Sequence, residues 1–123
     1  MNQMRTEIAS SAVAPAQVDL LVGKQSFFFK ADFAGFAGHF PNFAILPAVL
    51  QMLIAQMVAE TVIGTPVTLN SVNRAKFRQQ IKPDEQIDIC VTCREKDEVI
   101  QCKSELTVGG NSAASFMLVL AKI

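Results

Sequence analysis

The run from Pro47 to Gly64, PAVLQMLIAQMVAETVIG, constrains the fold more than any other part of the chain. Between the proline and the glycine only Gln51, Gln56, Glu60 and Thr61 are polar. Pro47 suits the first turn of a helix, where its missing N–H would have no partner anyway. Gly64 suits the position just past the end, where a left-handed backbone costs little without a side chain. A helix this apolar on every side has no solvent face, so other structure has to wrap it. It is also shorter than the roughly 20 apolar residues that cross a bilayer, and amides and a carboxylate interrupt it, which excludes a membrane span.

Wrapping such a helix takes apolar surface, and the chain is rich in it. Its 123 residues fit one domain, residues 1–123. Half of them are hydrophobic, and the mean hydropathy is +0.31. That balance implies surface buried between subunits as well as within one, so an oligomer is expected. A formal net charge of zero gives no support to a nucleic-acid partner or an acidic membrane surface. Met1 to Ala16 is polar or small throughout, without the basic-then-apolar pattern of a secretory leader. The three cysteines are an odd count and read as thiols in a reducing cytoplasm.

Before the helix, residues 4–13 carry a weak pattern that reads as a modest strand or a loosely held arm. Lys24–Phe33 reads as a strand, with Phe27, Phe29 and Ala31 on one face and Phe28 and Lys30 on the other. Ala34 to Gly38 is a small-residue loop leading to His39, and Pro41 and Pro47 bracket a turn-rich connection. After Gly64 the pattern turns to strands. Val67–Gln79 alternates Arg74, Lys76 and Arg78 with Ala75 and Phe77, and Lys82 to Glu85 is a turn. Ile87, Ile89, Val91 and Cys93 share one strand face, and Ile100, Cys102, Ser104, Leu106 and Val108 share another. Glu95 to Glu98 is a hairpin tip, Gly109-Gly110-Asn111 a second turn, and Ser112–Ile123 a last apolar strand. The order predicts an α+β fold, an antiparallel meander curled around one long central helix, with an edge and an apolar groove that a second copy would cover.

His39 is the only histidine. In isolation it reads as a loop residue bonded to a carbonyl. Its surroundings add a second reading. It lies between glycine-rich backbone and a proline-started helix whose first N–H groups polarise an anion or carbonyl. A base near neutrality beside an amide donor is the equipment for removing a proton α to a thioester carbonyl. Arg74, Lys76 and Arg78 form either a solvated strand face or a docking patch for an acidic partner. Cys90 and Cys93 make a C-x-x-C, but on a strand they point to opposite faces, and a remaining cysteine and histidine supply no zinc spacing, so no metal is expected. Met52 and Met57 read as core filler or as the lining of an acyl tunnel.

Gly38-His39-Phe40-Pro41, then Ile45, Pro47, Val49 and Leu50, closely resembles the GHFPxxPxxPGVLxxE motif of the 3-hydroxyacyl-acyl carrier protein dehydratases of the FabZ/FabA type. A second block, Arg74-Ala75-Lys76-Phe77-Arg78 followed by Ile81, Pro83 and Asp84, resembles that family's ARFRrpVxPGD segment. The resemblance runs from about Phe27 to Leu106, and ILPAVLQ resembles the LLPGVxQ form of a FabZ-like branch associated with aryl-polyene biosynthesis. It implies a hot-dog fold and a dimer with active sites at the subunit interface. It also implies dehydration of a 3-hydroxyacyl thioester to the trans-2-enoyl product. The acyl chain would ride on the phosphopantetheine of an acyl carrier protein or on CoA, with no further cofactor.

Carried over by position, the resemblance makes His39 the base and the Ala48 N–H the thioester donor, with Phe40, Pro47, Ala48 and Leu53 against the substrate. Arg74, Lys76 and Arg78 become the carrier-protein docking residues. The chain departs from the motif at Ala44, where the family has proline, at Ala48, where it has glycine, and at Leu53, where it has the catalytic carboxylate. Leucine moves no proton, and such help contributes about 100- to 10,000-fold. Glu60 lies two turns further along the same helix, about 10.5 Å away. Asp32 precedes the His39 loop, and Gln51 and Gln56 can orient a water without acting as acids. The alternatives are a hot-dog acyl thioesterase, or a non-catalytic acyl-carrier-binding subunit that pairs with an active relative as a heterodimer.

Overall fold

The structure, a computed structural model, describes residues 2–36 and 44–123. Its elements are helix α1 (Asn2–Ser10), strands β1 (Gln17–Asp19) and β2 (Val22–Phe28), a 3-10 turn at Ala34–Phe36 and helix α2 (Ala48–Ile63). Strands β3 (Val67–Phe77), β4 (Gln86–Lys96), β5 (Val99–Val108) and β6 (Asn111–Lys122) follow. The stretch expected to be a strand or arm is therefore a helix. Met4 and Ile8 are four residues apart on one face, and Ile8 is fully buried. That spacing carries the helical signal.

All six strands join one antiparallel sheet in the order β1-β2-β4-β5-β6-β3. The meander is thus confined to β4, β5 and β6. β3 leaves the helix, pairs with β6 at the far edge, and the chain then crosses back to place β4 beside β2. Helix α2 packs against β2 and β4 near one edge and against β3 at the other. Contact with both ends of the sheet means that the sheet curls around the helix.

The strand faces follow the sequence period. Ile87, Ile89, Val91 and Cys93 on β4 and Ile100, Cys102, Ser104, Leu106 and Val108 on β5 all point into the core. So do Ala114, Phe116, Leu118 and Leu120 on β6. Phe27 and Phe29 are buried as expected, but the strand ends at Phe28 and Ala31 is exposed. The two expected hairpin tips are two-residue turns, Asp97-Glu98 and Gly109-Gly110, and a third at Leu20-Leu21 joins β1 to β2; Leu20, Asp97, Gly109 and Gly110 all have positive φ.

The helix packs close against the sheet at Gly23. A methyl group there would collide with the side chain of Val62 and sit 3.2 Å from Val58 Cγ1. On the same helix Gln51, Ile54, Ala55, Gln56, Val58 and Ala59 are buried, whereas Met52, Leu53 and Met57 are half-buried and Val49 is exposed. One chain therefore covers only part of a helix that is apolar all round. No helix among the described residues is long and apolar enough to cross a membrane.

Candidate active site

The site is built at the start of α2. Pro47 is the N-cap, extended at φ −62° and ψ 150°, and no side chain caps the helix. The Pro47 carbonyl accepts from the N–H of Leu50 and of Gln51, both at 3.1 Å. The N–H groups of Ala48 and Val49 come earlier than any intrahelical acceptor can reach and have no partner among the described residues, at the positive end of a 16-residue helix.

The approach to that end is pinned on both sides of one buried residue. The Leu46 N–H donates to the Ile81 carbonyl at 2.8 Å, and the Leu46 carbonyl accepts from Gln51 Nε2 at 3.0 Å. Ile81 belongs to the crossover from β3 to β4, and three residues later the Asp84 N–H donates to the Phe29 carbonyl at 2.8 Å. The two sequence blocks that carry the resemblance thus meet at the mouth of the helix. Gln51 is buried at 4% exposure, and its Oε1 accepts no hydrogen bond from the described residues. It is an open acceptor on the helix's first turn.

On the other side, the 3-10 turn at Ala34–Phe36 presses onto the same end. Gly35 has no room for a side chain, because the Phe33 ring and Leu50 Cδ1 occupy the space. Phe29, Phe33 and Phe36 continue this wall as an aromatic chain, with ring centroids 4.5 Å and 5.6 Å apart. His39 and Phe40, with Gly38 and Pro41, lie outside the described residues.

Of the other expected residues, Pro47 and Ala48 stand at the helix start, and Leu53 is half-buried among apolar neighbours. The two alternative acids stand in different places. Glu60 sits near the far end of α2, where its carboxylate pairs with Arg5 at 2.6 Å and accepts from the Val67 N–H at 3.0 Å. Asp32 opens on a cleft of about 310 Å³ beneath α1, shared with Glu7, Ser10, Ser11, Lys30 and Phe33, to which α2 contributes nothing. Gln56 Nε2 donates to the Val67 carbonyl at 3.0 Å, so it too is engaged at the root of β3.

Arg74, Lys76 and Arg78 do converge, although strict alternation is not what brings them together. The ladder slips between Asn73 and Lys76, Arg74 takes a positive φ of 54°, and Arg78 lies just past the end of β3. The bulge re-aims the strand. The three line a groove of about 220 Å³ with Lys103, Ser115 and Met117. Arg78 Nη1 donates to the hydroxyls of Ser112 at 3.2 Å and Ser115 at 3.0 Å. None of these four cations forms an ion pair among the described residues. Lys103 escaped the sequence reading because it lies on β5; its only signal was its place on the outer face of an alternating strand.

The chain is similar to known proteins in sequence and in fold. The sequence matches the family described as ApeI-like, ApeI dehydratase, over residues 22–114. No curated protein matches the chain by sequence. Among solved structures, the chain is similar to the dehydratase heterocomplex ApeI:P from Xenorhabdus doucetiae, with a TM-score of 0.75 and 19% identity over 90% of this chain and 96% of that one. It is also similar to a hypothetical thioesterase protein with coenzyme A from Streptococcus pneumoniae, with a TM-score of 0.73 and 7% identity over 100% and 96% of the two chains. The PaaI protein from the phenylacetic acid degradation operon of E. coli gives a TM-score of 0.71 and 10% identity over 99% and 92%. The fold is the hot-dog fold.

Proposed function

This chain belongs to the ApeI-like dehydratase family, and from that premise we propose that it acts on 3-hydroxyacyl thioesters, removing water to give the trans-2-enoyl product. The observation that carries this reading is the uncapped start of α2, with open N–H groups at Ala48 and Val49 on a mouth pinned by Leu46. The thioester oxygen gains negative charge as the C2 proton leaves. Fixed amide donors aimed at that oxygen stabilise the charge without having to reorganise. His39 takes the proton. The C3 hydroxyl takes up a proton, either the one His39 has just removed or one from an acid on the partner's α2, and leaves as water as the C3–O bond breaks.

The groove of Arg74, Lys76, Arg78 and Lys103 fits the phosphate of a phosphopantetheine arm or the acidic face of an acyl carrier protein. Lysine and arginine without ion-pair partners attract such a charge at long range. The uncovered side of α2 and the open edge at β3 fit a second subunit.

Leu53 favours a second reading. In the resembled family the histidine of one subunit works with the carboxylate of the other. In a homodimer of this chain no α2 carries that acid. In a heterodimer with a relative that has the carboxylate, the site at His39 of this chain is complete. The ApeI:P structure is itself a heterocomplex, which supports pairing of this kind.

The test is incubation with a 3-hydroxyacyl carrier protein, read as loss of one water by mass, for wild type, His39→Ala and Leu53→Glu. Turnover by wild type that disappears in His39→Ala supports the homodimeric dehydratase. No turnover until Leu53→Glu restores an acid supports the heterodimer. Release of free thiol without enoyl product overturns both in favour of a thioesterase.

A further inference from the structure

Three cysteines are present, and the C-x-x-C of Cys90 and Cys93 draws attention to the wrong pair. Cys93 on β4 lies directly opposite Cys102 on β5. Both are free thiols and buried, at 3% and 0% exposure, and Cys102 Sγ donates to Cys93 Sγ at 3.1 Å. Cys90 points to the other face, is half-exposed, and stands opposite Glu105.

The backbone defines the geometry of the pair. The Cys93 N–H bonds to the Leu21 carbonyl at 2.8 Å, on the β2 side. In an antiparallel strand the N–H and C=O of one residue point the same way, so Cys93 and Cys102 form a non-hydrogen-bonded pair. In such pairs the Cα atoms are about 4.5 Å apart and the side chains closest. That separation falls within the roughly 4.4–6.8 Å spanned by disulfides.

We propose that Cys93 and Cys102 are a dithiol–disulfide modification site, closed by exchange with a low-molecular-weight disulfide. The Cys93 sulfur attacks one sulfur of the incoming disulfide, forming a mixed disulfide and releasing one small thiol. Cys102 loses its proton, attacks the Cys93 sulfur and expels the second small thiol. Two protein thiols are oxidised and one small disulfide is reduced to two thiols. The thiol environments suit this order. The hydrogen bond from Cys102 holds the Cys93 thiol below the ordinary thiol range against the opposing effect of burial. Donating that bond, together with burial and the Cys93 charge, holds Cys102 above it. Access comes from the hairpin end, since only the pairs Arg94–Gln101, Glu95–Ile100 and Lys96–Val99 separate the thiols from the turn. Opening from a hairpin tip is a low-energy local event.

The full chain is incubated under native conditions with glutathione disulfide and analysed by intact mass, thiol alkylation and peptide mapping. The expected result is loss of two hydrogens, a Cys93–Cys102 linkage and one alkylatable thiol of the original three. Cys90→Ser should form the same linkage and keep no alkylatable thiol, and Cys102→Ala should stop at a mixed disulfide on Cys93. Three alkylatable thiols after incubation, oxidation only in denaturant, or a linkage through Cys90 would each overturn the assignment. Should Cys102→Ala fail to fold, Cys90→Ser and the peptide map still decide the matter.

Discussion

The Leu46 N–H donates to the carbonyl of Ile81 at 2.8 Å, and this bond joins two segments far apart in the chain into one helix mouth. With Gln51 holding the Leu46 carbonyl, the turn into α2 is fixed independently of the donors that follow it.

Those donors are testable one at a time. Proline is tolerated at the first helical position, and the extended Pro47 before it is the conformation that a proline requires of its predecessor. Ala48→Pro is therefore expected to keep the thermal midpoint of wild type while removing one open N–H. If Ala48 N–H holds the thioester oxygen, turnover falls about 100- to 1,000-fold in whichever assembly is active. Turnover within a factor of two of wild type would move the oxyanion elsewhere.

Glu60 is a structural carboxylate. Glu60→Ala leaves the buried Val67 N–H without its acceptor and is expected to cost about 1–3 kcal/mol in urea unfolding. Arg5→Ala removes only a partly exposed ion-pair partner and should cost less than about 1 kcal/mol. Per folded molecule, both variants should retain wild-type turnover. A selective loss of turnover in Glu60→Gln, with stability kept, would make Glu60 the missing acid.

The contact of α2 with β2 depends on a missing side chain. Gly23→Ala sets a methyl group against Val62, a β-branched side chain stiff at χ1 in a helix, and overpacking of this kind costs about 1–3 kcal/mol. Gly23→Ala combined with Val62→Ala should recover part of that loss. Additivity of the two single changes would show that the contact is not the cause.

The four-cation groove predicts a split in kinetics. Lys76→Glu with Lys103→Glu should raise KM for a carrier-linked substrate on the order of tenfold and leave a short pantetheine thioester unaffected. The difference should vanish near 1 M salt, where the Debye length is about 3 Å. An equal effect on both substrates would place the groove outside carrier docking.

Much of the fold was legible because its signals are local. Proline, glycine and an unbroken apolar run bounded α2, and alternation fixed which faces of β4, β5 and β6 are buried. Pro47 caps α2, and Ala48 and Leu53 stand on it. The N-terminal helix was missed because its signal is a single apolar pair, Met4 and Ile8, in an otherwise polar stretch.

The central helix, the two later hairpins and the buried strand faces were legible from residues a few positions apart, and the dehydratase family from two motif blocks. Tertiary packing put β3 at the far edge, completed with Lys103 a groove begun by Arg74, and set Cys93 against Cys102 rather than Cys90. It also decided that Glu60 belongs to Arg5 and Val67. The reason is physical. A period of two assigns a side chain to a face but not to a neighbour, and the neighbour is fixed only when strands choose their order and register.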